Sequence, residues 1–171
     1  MHILSAYLTE KGLVLGQKTV AEKSNEIPAM QELLELIDIS GCMVVADALH
    51  CQTKTAEIII NHGGDYLLNA KGNQETLEND IKDFVQDEEL RSEMDSITTT
   101  EKKGGRIEAR TAFVSHDVSW MQWHLKNWLG LSCFGAINRQ FTYNGKTSDE
   151  WHYYISSRKL TPEELLKYAR N

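Results

Sequence analysis

One acid in this chain stands where chemistry is often done. Asp47 directly follows the apolar run Cys42-Met43-Val44-Val45-Ala46, the pattern of a buried strand. An ionised carboxylate at such a strand tip is costly unless it is paired or bound to a metal. Two readings follow: Asp47 is a metal ligand, or it caps the helix that begins near Gln52. Lys71 and Asn73 follow a second apolar segment and stand near the same sheet edge. They could contact a phosphate, or they could shape the turn into the next helix. Lys102, Lys103, Arg106 and Arg110 form the densest positive cluster. A DNA contact there would be salt-dependent and mostly non-specific; the plainer reading is a solvated loop. Glu108, inside that cluster, reads first as a strand residue paired with Arg106 or Arg110 and second as a catalytic acid. Glu26 suits a helix N-terminus as a dipole partner. Trp120, Trp123 and Trp128 fall at near-helical spacing, which favours packing on a sheet over base stacking. The histidines and cysteines show no zinc-like spacing, and the His50-Cys51 pair is the nearest approach to one. No glycine-rich phosphate loop or Ser–His–Asp arrangement stands out.

The elements that would hold these residues alternate along the chain. Residues 2–20 read as a hairpin of strands Ile3–Tyr7 and Leu13–Gln17. Asn25 is a cap candidate and Pro28 a first-turn residue of a helix carrying Met30, Leu33, Leu34 and Ile37. After the Asp47 strand comes a helix over Thr53–His62, with Ala56, Ile59 and Ile60 inward and Gly63-Gly64 closing it. Asp65–Ala70 reads as a central strand. From Glu75 to about Glu93 the stripe Leu77, Ile81, Phe84 and Val85 marks an amphipathic helical region. Ile97–Lys103 is polar, either mobile or an edge. Arg106–Val114 alternates as a strand, and Val118–Trp128 is helical. Cys133–Thr142 and Glu150–Ser156 are antiparallel strands around Tyr143-Asn144-Gly145-Lys146. Thr161-Pro162-Glu163-Glu164 opens a last helix with a Thr cap and Pro in first position. This order predicts one α/β domain: a mixed sheet with helices on both faces. Its chemistry belongs at the C-terminal ends of the parallel strands.

Composition bounds the rest. The chain has 171 residues, 41% hydrophobic and 25% charged, as in a globular protein with a real core. No apolar run approaches the ~18–20 residues of a membrane span, and the N-terminus lacks a signal-peptide pattern. Three widely spaced cysteines fit a reducing cytoplasm, which is the expected location. The net charge of −7 is local: residues 75–95 carry nine acids and two bases, while residues 96–171 carry 11 bases and seven acids. A polyanion can therefore meet another face.

The string Val45-Ala46-Asp47-Ala48-Leu49-His50-Cys51-Gln52 resembles the second-aspartate motif of bacterial insertion-sequence transposases of the ISAs1 (H-repeat-associated) group. Four further blocks agree in order and spacing. They are Leu13-Val14-Leu15-Gly16-Gln17, Lys23-Ser24-Asn25-Glu26-Ile27, Gly64-Asp65-Tyr66-Leu67-Leu68 with Lys71-Gly72-Asn73-Gln74, and Gly105-Arg106-Ile107-Glu108-Ala109-Arg110. Two positions depart: His50 stands where a glycine is expected and Gly104 where a histidine is expected. The resemblance implies a DDE transposase with an RNase H-like core, acting on the DNA ends of an insertion sequence. Such enzymes cut with two divalent ions, Mg²⁺ or Mn²⁺, about 3.5–4 Å apart, held by three acids.

Members of the group carry the first catalytic aspartate upstream of the strand beginning here at His2, and the last glutamate downstream of Leu165–Asn171. The expectation is thus a transposase middle lacking the first strand and the last catalytic helix. Asp47 is then the surviving ligand, metal binding is weak, and the chain is inactive alone. A missing strand would leave an open edge, so a homo-oligomer is expected. The other reading is a non-catalytic module that associates with itself or regulates a transposase.

Overall fold

The computed structural model describes residues 2–8, 13–20, 26–103 and 105–169. Strands β1 (His2–Leu8) and β2 (Leu13–Val20) pair antiparallel as a hairpin with an irregularity between Ala6 and Tyr7. They form a two-stranded sheet of their own. Helix α1 (Glu26–Leu36) buries Ala29, Met30, Leu33 and Leu34, the one-sided spacing expected of a helix packed on a core. Gly16 of β2 lies against it: an added Cβ would come within 2.9 Å of the Leu33 Cδ1. Asn25, the expected cap of α1, lies outside the described residues.

The main sheet has six strands in the order β3-β4-β8-β7-β6-β5. These are β3 (Met43–Ala46), β4 (Asp65–Ala70), β5 (Asp95–Lys103), β6 (Arg106–Ser115), β7 (Cys133–Tyr143) and β8 (Lys146–Ser156). Strands β3 and β4 are parallel, joined through α2 (Thr53–Asn61), as a parallel pair requires. Every other neighbouring pair is antiparallel. The sheet is therefore mixed, with an RNase H-like arrangement of flanking helices. Strand β3 has the apolar sequence of an inner strand but occupies an edge, with Val45 39% exposed.

Period-two alternation divides the sheet into two faces. One carries Tyr66, Leu68, Phe134, Ala136, Tyr153 and Ile155, covered by residues of α1, α2 and α3 (Glu75–Gln86) together with Met121 and Trp128. The other carries Leu67, Ala112, Val114, Cys133, Ile137 and Tyr154, covered by Leu165 and Leu166 of α6 (Pro162–Ala169). Helix α6 opens with a reciprocal capping box. The Glu164 amide donates to the Thr161 hydroxyl at 3.2 Å, and the Thr161 amide donates to the Glu164 carboxylate at 2.9 Å, satisfying two orphan donors.

Three expectations change in detail. The acidic segment is two helices, α3 and α4 (Glu88–Ser92), because the Asp87 carboxylate accepts from the Glu89 and Leu90 amides and starts a new helix. The tryptophan-rich segment is helical only over α5 (Gln122–Asn127). Trp120 stacks on Phe84 and meets Phe134 edge-on before that helix begins. Trp128 is buried, while Trp123 is 63% exposed. The polar segment around Ile97–Lys103 is the regular edge strand β5.

Candidate functional site

The parallel pair ends together: Ala46 lies opposite Leu68. Asp47 follows in extended backbone (φ −70°, ψ 175°) and opens a 3₁₀ turn over Ala48–His50. Its carbonyl accepts from the His50 amide at 3.1 Å. Its side chain makes no capping hydrogen bond and is exposed. Helix α2 is capped at Gln52, five residues further on, and without a side-chain bond. The capping explanation for Asp47 therefore falls away, leaving an exposed carboxylate at the strand end.

The loop that follows β4 braces this turn. Asn73 Nδ2 donates to the Ala48 carbonyl at 2.6 Å, and Gln74 Nε2 donates to the Cys51 carbonyl at 3.0 Å. Asn73 is thus engaged in positioning the Asp47 loop, while Lys71 on the same loop is exposed. Beneath the turn, His50 and Cys51 are buried. Burial pushes the Cys51 thiol up to about 12, so it stays protonated and unreactive. His50 fills the place where a glycine was expected without adopting a left-handed backbone. Its Nδ1 is buried without a partner among the described residues.

The other acid proposed for chemistry lies elsewhere. Glu108 Oε1 accepts from Arg110 Nε at 2.6 Å and from Arg139 Nε at 2.8 Å, with Arg139 Nη2 at 3.4 Å from Oε2. These donors, Arg139 first, hold its carboxyl down at about 2. Strand β6 is four inter-strand steps from β3, or about 19 Å across the sheet. The register through Tyr154, Gly135 and Val114 puts Glu108 six residues further along, about 20 Å more. No pair of ions about 4 Å apart bridges that distance to Asp47.

The basic cluster likewise splits from the Asp47 loop. Arg106 and Arg110 are on the same far half of the sheet as Glu108, and Lys102 is exposed on β5. The Lys103 side chain lies outside the described residues. Arg110 is committed to Glu108, whereas Arg106 lies over the Phe141 ring, 4.1 Å from its centroid. Glu26 is half-buried at the start of α1. Sequence reasoning did not find Arg139, which reaches Glu108 only through the β6–β7 register. Nor did it find the contact of His124 Nε2 with Asp80 Oδ2 at 2.7 Å, between residues 44 apart with no local signature.

Asp47 offers the hard oxygen that Mg²⁺ prefers. Among the described residues, however, no three or more His, Cys, Asp or Glu side chains gather closely enough to hold a metal ion. The described residues supply one ligand and not a set, so they do not by themselves fit a resident ion pair.

A mixed sheet with helices on both faces is consistent with an RNase H-like fold. Comparison with known families narrows this. The family model described as "Transposase DDE domain" matches residues 1–171, and the chain belongs to that family. The "H repeat-associated putative transposase YhhI" of Escherichia coli K12 is 38% identical over 176 residues, covering 100% of this chain and 47% of its own length. A second E. coli protein, "H repeat-associated putative transposase YbfD", is 42% identical over 115 residues, 67% of this chain and 46% of its own. A Xanthobacter autotrophicus protein described as "Uncharacterized protein in dhlA 3'region" is 34% identical over 162 residues, 95% of this chain and 55% of its own. The chain spans about half the length of the curated relatives it matches. No solved structure matches.

Proposed function

We propose that this chain is a segment of a DDE transposase core in which Asp47 serves as one ligand of the divalent ions, Mg²⁺ or Mn²⁺, that the family uses for DNA strand cleavage and transfer. The observation that carries this reading is the uncapped, exposed carboxylate of Asp47 at the C-terminal end of β3. The Asn73 and Gln74 hydrogen bonds hold its loop in place. Lys71 on the bracing loop suits a phosphate of the DNA end. Lys102, Lys103 and Arg106, on the far half of the sheet, suit the DNA backbone further away, and Arg110, a DNA-contact candidate from the sequence, is held by Glu108. The protein works in the cytoplasm, where bacterial DNA is. No helix among the described residues is long and apolar enough to cross a membrane. The two hydrophobic clusters, on opposite faces of one sheet, support reading the chain as one domain.

A single carboxylate neither fixes the separation of two ions nor holds one tightly. Because the described residues offer no set of ligands beside Asp47, the chain on its own is expected not to cleave. Two measurements test the assignment. Titrating Mn²⁺ should broaden amide resonances around residues 47–51 and 69–73, and Asp47→Asn should abolish the effect. Incubation with terminal-repeat DNA and Mg²⁺ or Mn²⁺ should leave the DNA intact. Robust nicking lost in Asp47→Asn would overturn the claim of inactivity; unselective broadening would overturn the ligand assignment.

The second reading, a non-catalytic module that pairs with itself or dampens a transposase, is favoured by the exposed apolar edge of β3. It predicts a homo-oligomer.

A further inference from the structure

Strands β6, β7 and β8 run well beyond the part of the sheet covered by α6, and the uncovered end carries a distinct surface. On one face of β7, Cys133 and Ile137 lie in the α6 cluster. Arg139, Phe141 and Tyr143 continue the same face by alternation. The β7–β8 turn is two residues, Asn144 and Gly145, both with positive φ (48° and 73°), the geometry that closes a tight hairpin. It sets Tyr143 directly opposite Lys146. Arg106, Phe141, Tyr143, Lys146, Thr147 and Ser148 line an open cleft of about 610 Å³ there.

The chemistry of the lining is divided. The Phe141 ring has Arg106 4.1 Å and Arg139 3.8 Å from its centroid, so its faces serve guanidinium groups. Arg139 is further held by Glu108. Arg106 has no carboxylate partner among the described residues. A guanidinium held over a ring through its cation–π contact still has N–H groups free to meet an anion. Lys146 is exposed across the cleft. Tyr143 is 55% exposed, a flat ring beside two cations. Phosphate alone would need only the cations, and a base pair within a duplex offers no free π-face to Tyr143. A strand with unstacked bases satisfies all three at once.

We propose that this cleft binds single-stranded DNA, with Arg106 and Lys146 on phosphates and a base stacked on Tyr143. The partner's identity as DNA rests on the transposase reading; the site itself is distinct from the Asp47 loop. The test is fluorescence anisotropy of the full chain with labelled oligothymidylate and with a duplex of equal length, across a salt series. Arg106→Gln and Lys146→Gln should each weaken single-strand binding and reduce the salt slope by about 0.7. Tyr143→Ala should weaken it about tenfold or more and leave duplex binding unchanged, while Tyr143→Phe retains it. All three positions of change are exposed, and circular dichroism checks that each variant folds.

The proposal is overturned if the parent chain binds no single strand. It is equally overturned if Tyr143→Ala stays within twofold of the parent, or if duplex binding falls in step, which would mark a backbone contact only. Asp47→Asn should not alter this binding. Tip variants that lose it while Mn²⁺ still marks Asp47 separate this proposal from the metal-ligand reading. Failure of the Mn²⁺ experiment alone leaves this one standing.

Discussion

Two carboxylates with opposite environments decide what can be said at the level of single residues. Among the described residues Asp47 has no side-chain hydrogen-bond partner, while Glu108 has three donor contacts from Arg110 and Arg139. The sequence placed Glu108 beside arginines and anticipated an ion pair; it could not name Arg139, 31 residues away, because that depends on strand register. Glu108→Gln should lower stability by about 1–2 kcal/mol at neutral pH, the scale of charge-assisted hydrogen bonds that are partly exposed, read from the urea midpoint. The folded-state value of about 2 lies below the unfolded carboxyl's ordinary value. The carboxylate therefore contributes its full stabilisation above about pH 4.5 and loses it as the pH falls toward 2. The gap between parent and Glu108→Gln should narrow through that window. A gap that is unchanged at pH 3 would show that Glu108 acts through packing and not through its charge.

Helices and strands were legible where one rule governs them locally. The Thr161 cap, the turn within Tyr143-Asn144-Gly145-Lys146 and the strand over Arg106–Val114 all report local backbone demands, and each formed; the reciprocal Glu164 bond goes beyond the sequence reading. The misses lie where a tertiary contact overrides the periodic pattern. Residues 118–128 carry apolar side chains at helical spacing, yet Trp120 is drawn onto Phe84 and Phe134 and the helix starts only at Gln122. Strand β3 reads as buried because its run is apolar, but burial depends on what lies alongside. Close packing of α6 on the sheet rests on one position no pattern singles out. A Cβ added at Gly135 would stand 2.5 Å from the Phe113 carbonyl and 3.0 Å from Leu165 Cδ2. The carbonyl is backbone and cannot yield as a side chain does. Gly135→Ala should therefore destabilise the protein by about 1–3 kcal/mol, with α6 amides losing protection from hydrogen exchange first. Retention of the parent's midpoint would mean that the β6–β7 spacing adjusts freely.

For the molecule as a whole, the open question is which sheet edges are meant to be covered. Strand β5 is an edge of polar composition, Ser96, Thr98, Thr100 and Lys102 among its residues, which suits exposure to water. Strand β3 is the opposite edge, with the sequence Met43-Val44-Val45-Ala46 and not one charge, proline or glycine to discourage pairing. Edges of that composition recruit further strands unless they are blunted. The β1–β2 hairpin adds outer edges of its own, since the described strands do not join it to the six-stranded sheet. Helix α1 packs against this hairpin and against α2, so hairpin and β3 edge are linked through the helix layer and not by hydrogen-bonded strands. The expected outcome is concentration-dependent self-association through β3, seen by sedimentation velocity. Val45 is the side chain to change, because it is exposed and its loss leaves the inward-facing Val44 and Ala46 in place. Val45→Lys should shift the population toward monomer without lowering the stability read from the urea midpoint by more than about 0.5 kcal/mol, as for a surface site. Monomer at every concentration in the parent chain would remove self-pairing of this edge. Oligomers that survive Val45→Lys intact would move the interface elsewhere, with the hairpin edges the next surface to alter.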